Sequence, residues 1–452
     1  MSKGSHQKQV RATARGQKRF LNSVRRQDKV YQDTLPDPLK ATRWARTKRN
    51  LPRYDSTLEH LLKHYRKLSP GIVDKKLDGK PLRVPMFFSL THYPVESFAF
   101  LRKLFYALHK ADDTHLVLDY GQCLRIDLDA SVCMDVLLTR FIAHYKRTRK
   151  LGADLKRIRI IDAIMLHSRE VRKFLQSTGS GQVIQGINAT FPDIISCPLR
   201  TRYKSPHRKG TKEITTTELV QYLQACLARF DKKLNAKDRE RFSDIIGEVL
   251  ANAEDHSSLP YNYSIGHFNE LNGNGEHSGR FQCVILNFGK TIYERLKDPN
   301  DCKNKDILPE MQRLSKRYTE KSWFGVKDAP FEEETLWTLY ALQDGVSSVA
   351  PHRGNGTIQF IRDFLDLRSK ESNKRSVMTL ISGHTRIQFD GTHHLQDKLN
   401  DKGDTHTVIT FNKAGSLEEK PDEKFVTFAS QYFPGTLLYA DVYVTADHLK
   451  PH

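Results

Sequence analysis

The chain has 452 residues, 73 Lys and Arg against 53 Asp and Glu, and a formal charge of +20, a length that suits two or three domains, each with its own core. No stretch approaches about 18 apolar residues without a charge, so no membrane span is expected, and the first residues lack the apolar run of a signal peptide. Cys123, Cys133, Cys197, Cys226, Cys283 and Cys302 are scattered with no C-x-x-C pair, which points to reduced thiols in a cytoplasmic setting and away from a zinc site or a disulfide framework.

Residues 1–55 read as a basic arm. Fifteen Lys and Arg lie between Lys3 and Arg53, opposed only by Asp28, Asp33 and Asp37. Phe20, Tyr31 and Trp44 are interleaved, so the arm has charge to neutralise phosphates and rings to stack on bases. A solvated tail, or an arm packed on an acidic protein surface, accounts for the charge equally well.

Residues 56–205 alternate strand and helix patterns. Strands are expected at 84–90 (VPMFFSL), 115–119 (HLVLD) and 157–162 (RIRIID), and helices at 95–109, 129–147 and 168–178. Such alternation predicts an α/β domain around a mostly buried sheet. The run LVLDYGQCLRIDLDASVCMDVLL resembles a STAS domain of the anti-sigma-factor-antagonist type, whose signature is a strand, D-x-S, then I-D-S-S at a helix start. Asp119 and the Ile126–Asp127 pair match that signature, while Leu128 and Asp129 stand where its serines belong. The resemblance therefore implies a STAS-like domain without the regulatory phosphoserine, with a permanent charge at Asp129 instead.

Residues 206–452 carry the chemistry. EVLANAEDH places Glu248, Asn252 and His256 one above another on a helix face, with Ile245, Ile246, Val249, Leu250 and Ala253 on the other side. An Asn amide oxygen suits a hard cation such as Mg, and a carboxylate one turn earlier can polarise an attacking water or hydroxyl. The pattern resembles the N-box of the GHKL family, which includes gyrase B, MutL, histidine kinases and anti-sigma kinases. CVILNFGKTI then resembles the family's first glycine box, a strand followed by D-x-G-x-G. Asn287 takes the place of its Asp, Gly289 matches its first glycine, and Thr291 replaces the second. In the family the Asp accepts the adenine amino group; the oxygen of Asn287 can accept the same bond more weakly, so Asn287→Asp would be expected to tighten ATP.

Further on, Gly354 and Gly356 in PHRGNGTIQF resemble the second glycine box, with Ile358 where a third glycine is usual and Arg353 beside them as a phosphate contact. PGTLLYADVYV supplies Gly435 and Thr436, similar to the closing G-T motif. The charged segment near 297–350 corresponds to the ATP lid. It holds Lys303, Lys305, Arg313, Lys316 and Arg317, and charged residues of a surface insertion usually face only water. The resemblance implies a Bergerat-type α/β sandwich over 206–452, a mixed sheet with helices on one face, preceded by the STAS-like α/β domain and the basic arm. It implies Glu248 as the base, Asn252 as Mg ligand and nucleotide contact, and Asn287, Gly289, Arg353, Gly354, Gly356 and Thr436 as further ATP contacts.

Three functions follow. The first is a Mg-ATP-binding regulatory switch with slow hydrolysis, coupled to the STAS-like domain and a protein partner. The second is a serine/threonine kinase of the anti-sigma type acting on a separate substrate, and the third a non-catalytic nucleic-acid-binding or assembly protein with a degenerate pocket. Nucleic acid would meet the chain through residues 1–53. Partner identity and oligomeric state are not readable from the residues.

Overall fold

The computed structural model describes residues 54–110, 115–150, 160–179, 189–204, 211–255, 257–273, 276–302, 307–319, 332–343, 346, 358–362, 376–399 and 405–445. The basic arm at 1–53, His256, Lys303, Lys305, Arg353, Gly354 and Gly356 lie outside them. Among the described residues no helix is long and apolar enough to cross a membrane. The chain is a mixed α/β protein with two compact units, one comprising residues 54–59 and Val73–Phe191, the other His60–Ile72 and Pro192 onward.

Helix α1 (Ser56–His64) opens the described chain. The first unit has a parallel sheet of β1 (Leu82–Arg83), β3 (His115–Asp119) and β5 (Ile160–Ile164), in that order. A separate parallel pair joins β2 (Phe87–Phe88) to β4 (Arg125–Ile126). Of the strand expected at 84–90 only Phe87–Phe88 is paired strand, with β1 just before the range, and Pro85 between the two has no N–H to give a ladder. Helices α2 (Pro94–His109), α3 (Leu128–Lys150) and α4 (Arg169–Ser177) follow the expected ranges closely. In α2, Pro94 opens the first turn and Phe98, Leu101, Phe105 and Leu108 recur at helical spacing and are buried.

Asp129 departs from the expected permanent charge. Its side chain is fully buried, accepting the Thr91 N–H at 2.7 Å and the Ala130 N–H at 2.7 Å. Burial, reinforced by neighbouring Asp127, pushes its carboxyl up to about 7, against the pull of those two donors.

The second unit is built on a five-stranded sheet in the order β6-β7-β8-β12-β9. The strands are β6 (Ile194–Tyr203), β7 (Tyr261–Gly273), β8 (Glu276–Phe288), β9 (Val377–Phe389) and β12 (Val426–Thr445), and β10 (Gln396–Leu399) pairs with β11 (Thr405–Val408) as a separate ribbon. All four pairings of the large sheet are antiparallel, which corrects the expected mixed sheet. β6 pairs with β7 from Ile194↔Asn269 to Tyr203↔Tyr261, so the main segment of this unit starts at Pro192 and not near residue 206.

Helices α5 (Thr211–Ala228), α6 (Ala236–Asp255), α7 (Ile292–Lys297), α8 (Ile307–Thr319) and α9 (Glu333–Tyr340) complete the unit. Leu219, Val249, Leu250 and Leu336 from these helices share one core with Ile285, Leu380 and Leu438 of the sheet. Strand periodicity puts those three sheet residues on one face. Much of the expected lid belongs to this core. Met311 and Leu314 of α8 are buried and the Trp337 indole donates to Ser315 Oγ at 3.1 Å. Arg313 is tied to Glu310 and Glu418.

Candidate functional site

Helix α6 starts where the Asn235 side chain accepts the Asp238 N–H at 2.8 Å, an N-cap that satisfies one of the first-turn donors. Ile245, Ile246, Val249 and Leu250 are buried, which turns Glu248 and Asn252 to a half-buried flank one turn apart. From this flank Val249, Asn252 and Ala253 enter a cavity of about 110 Å³. Asn287 and Ile285 of β8, Ile292 and Arg295 of α7, and Thr436 and Leu438 of β12 close it, with Leu342 and Leu380. Three residues singled out in separate motifs, Asn252, Asn287 and Thr436, therefore line one space. Glu248 does not line it.

The cavity floor is the sheet. Register aligns Arg202, Asn262, Asn287, Thr436 and Ser382 in one row across all five strands. Arg202 Nε donates to Asn262 Oδ1 at 2.7 Å and its Nη2 donates to the Leu250 carbonyl of α6 at 3.1 Å. Asn287 Nδ2 donates to the Ala253 carbonyl at 2.7 Å, while its Oδ1 accepts the Thr436 N–H at 3.1 Å. Ser382 Oγ lies 3.1 Å from Thr436 Oγ1 and accepts the Ile292 N–H of α7 at 3.0 Å. The row thus touches α6, α7 and β12 together, and its members other than Thr436 are buried. Burial lowers the affinity of Arg202 for its proton, and Glu254 at 3.8 Å opposes that.

Two glycines shape the edge of the site. Gly289 has φ +136°, and a Cβ there would lie 2.6 Å from Ser258 Oγ. Gly435 has φ +155°, and a Cβ there would collide with the Asn287 carbonyl oxygen, so only glycine lets β12 approach β8 at this point. Thr291 caps α7. Its Oγ1 accepts the Glu294 N–H at 3.1 Å and the Glu294 carboxylate accepts the Thr291 N–H at 2.9 Å, a reciprocal capping box. Residues 358–362 are helical with Ile358 and Ile361 in the core, so Ile358 serves packing where a third glycine was sought.

Both ends of the Asn287 amide are engaged within the protein, and a carboxylate in its place would confront the Ala253 carbonyl. Arg202, Asn262, Ser382 and Arg295 were not identified from the sequence. The available signal was a polar residue at an inward position of an otherwise apolar strand, as for Ser382 in TLISG.

No protein-family profile, curated protein or solved structure matches the chain.

Proposed function

We propose that the second unit binds Mg-ATP in this cavity and acts as a GHKL-type regulatory switch with slow hydrolysis, coupled to the STAS-like first unit and to a protein partner. The observation that carries the reading is the convergence of Asn252, Asn287 and Thr436, from an N-box-like helix, a strand before a glycine turn and a closing G-T, on one cavity. That cavity is mostly apolar with a few polar groups, the usual character of a base pocket. Its volume of about 110 Å³ is consistent with a base as the part of the nucleotide it would hold.

Asn252 is the residue that would hold Mg. Among the described residues no group of three or more His, Cys, Asp and Glu is arranged to hold a metal. Asn252 offers one neutral oxygen, which suits an ion that arrives with phosphate and keeps several waters. When bound, Mg would neutralise charge on the phosphates. Glu248, one turn before Asn252, is the base proposed to accept a proton from the attacking water. Arg295, a cation on the cavity wall, is positioned to meet an anionic or aromatic part of the ligand. A cytoplasmic setting is proposed from the six free cysteines.

A second reading, nucleotide binding without turnover, is favoured by one observation, that Glu248 lies outside the cavity lining. Incubation of the full chain with γ-labelled ATP and Mg separates the readings. Free phosphate supports the switch, bound intact ATP supports the second reading, and labelled protein substrate would point to a kinase. No retained or hydrolysed nucleotide at millimolar ATP refutes all three.

A further inference from the structure

Asn287 sits where three structural demands meet. Helix α6 ends at Asp255, so the Ala253 carbonyl has no partner one turn on, and the Ser257 N–H turns to the Glu254 carbonyl at 3.4 Å. The orphan acceptor at Ala253 is satisfied by Asn287 Nδ2 at 2.7 Å. On the other side, the Thr436 N–H, where β12 resumes pairing with β9 after the register shift that follows Phe433, is satisfied by Asn287 Oδ1 at 3.1 Å. The side chain is 3 % exposed, so water does not substitute for either partner.

This donor-and-acceptor pair also fixes which end of the amide is which. Turned over, the side chain would set oxygen against oxygen at Ala253 and NH2 against N–H at Thr436. A carboxamide meets both demands. An ionised carboxylate meets one and repels the other.

We propose that Asn287 is a positioning residue, whose carboxamide pins the last turn of α6, bearing Asn252, to the segment of β12 bearing Thr436, and which holds the cavity's polar lining in place without reading the base. The inference rests on the nucleotide-binding reading for what the cavity holds, though not for the clamp itself. It accounts for asparagine at a position where the related pattern carries aspartate. It also reverses the expected outcome of restoring that aspartate.

A protonated aspartic acid has nearly the shape of asparagine and the same two functions. Its O–H would donate to the Ala253 carbonyl and its C=O would accept from Thr436. Burial beside a carbonyl raises a carboxyl well above its ordinary range, so an aspartate here would regain the clamp on acidification. The titratable and charged groups around the row are Arg202 with its partner Glu254 at the β6 end, Arg295 on α7, Glu334 of α9 beside Ser382, and His60, whose ring meets the Pro434 carbonyl. Arginine guanidiniums keep their charge through this range, and the parent run in parallel subtracts the pH response of the rest of the chain.

The test uses full-length parent, Asn287→Asp and Asn287→Ala. Thermal unfolding and affinity for ATP and for purine riboside triphosphate, which lacks the amino group, are measured at about pH 8 and about pH 5.5. At the higher pH, Asn287→Asp should melt earlier and bind both nucleotides about tenfold more weakly, with their ratio unchanged. At the lower pH, Asn287→Asp should recover most of both losses while Asn287→Ala recovers neither. If Asn287→Asp does not fold at the higher pH, a selective yield of folded protein on refolding at the lower pH is the same result. Tighter ATP binding by Asn287→Asp with a gain over the purine analogue would overturn the proposal and make Asn287 the base reader. A loss indifferent to pH and equal to that of Asn287→Ala would overturn it as well. Should the parent bind neither nucleotide, the nucleotide reading fails, and the pH-dependent recovery of stability still decides the clamp.

Discussion

Arg202→Met tests whether the polar row holds α6 to the sheet. Arg202 is 6 % exposed, and its guanidinium makes two hydrogen bonds from a charged donor, to Asn262 Oδ1 at 2.7 Å and to the Leu250 carbonyl at 3.1 Å. Bonds of this kind contribute roughly 1.5–3 kcal/mol each, and a cation near a helix C-terminus adds roughly 0.3–2 kcal/mol. Against that stands the desolvation that Met would relieve, several kcal/mol for a buried ion. The loss dominates, because Asn262 Oδ1 is left buried without this donor and Glu254 loses the counter-ion 3.8 Å away. A net cost of about 3 kcal/mol lowers the melting temperature of a unit this size by roughly 6–12 °C. Arg202→Lys keeps the charge without the fork and should fall between the two. Circular dichroism melts of the three proteins at one pH and salt make the measurement. A drop for Arg202→Met below about 2 °C would show that desolvation cancels the bonds, and the row would then be packing with no anchoring role.

The parts of this protein legible in the sequence are those whose pattern is local. Helix α6 declares itself through Ile245, Ile246, Val249 and Leu250, and β8 and β12 through inward Ile285 and Leu438 before and after glycine turns. Asn252, Asn287 and Thr436 were legible as members of an ordered set of motifs, which carries more information than any one of them. Their surroundings were not. That Arg202, Asn262 and Ser382 share a row with Asn287 follows from strand register, and register between strands far apart in sequence is settled by tertiary pairing. The boundary near residue 206 differs for the same reason, because β6 looks like the end of the preceding α/β pattern until its partner β7 is known. Residues 307–319 read as a polar insertion because their apolar residues are interspersed with charges, yet Met311 and Leu314 are buried and Ile307, Leu308 and Tyr318 pack against the core. Asp129 read as a permanent charge because composition says nothing about burial.

Three further outcomes are expected. Asn252→Ala should weaken Mg-dependent ATP binding at least about tenfold while the melting temperature moves little, as the residue is half-buried on a cavity wall; calorimetry with unchanged affinity would remove Asn252 from the site. Glu248→Ala should bind ATP within about threefold of the parent and lose roughly 100-fold or more of any steady-state turnover, and equal rates would exclude Glu248 as the base. The last concerns pH and the first unit. Asp129 holds its proton more firmly when folded, because burial and Asp127 raise its carboxyl from 3.8 to about 7. As pH rises from about 4, the unfolded chain loses that proton first, so the folded state binds more protons and stability falls until the pH passes about 7. Asp129→Asn removes this dependence, at the cost of an acceptor for one of the two N–H groups of Thr91 and Ala130. The stability of the parent relative to Asp129→Asn, from urea unfolding, should therefore shrink by at least about 1 kcal/mol between about pH 4.5 and pH 8. A difference that stays constant across that range would mean the two backbone donors keep Asp129 ionised throughout, and that their pull outweighs burial.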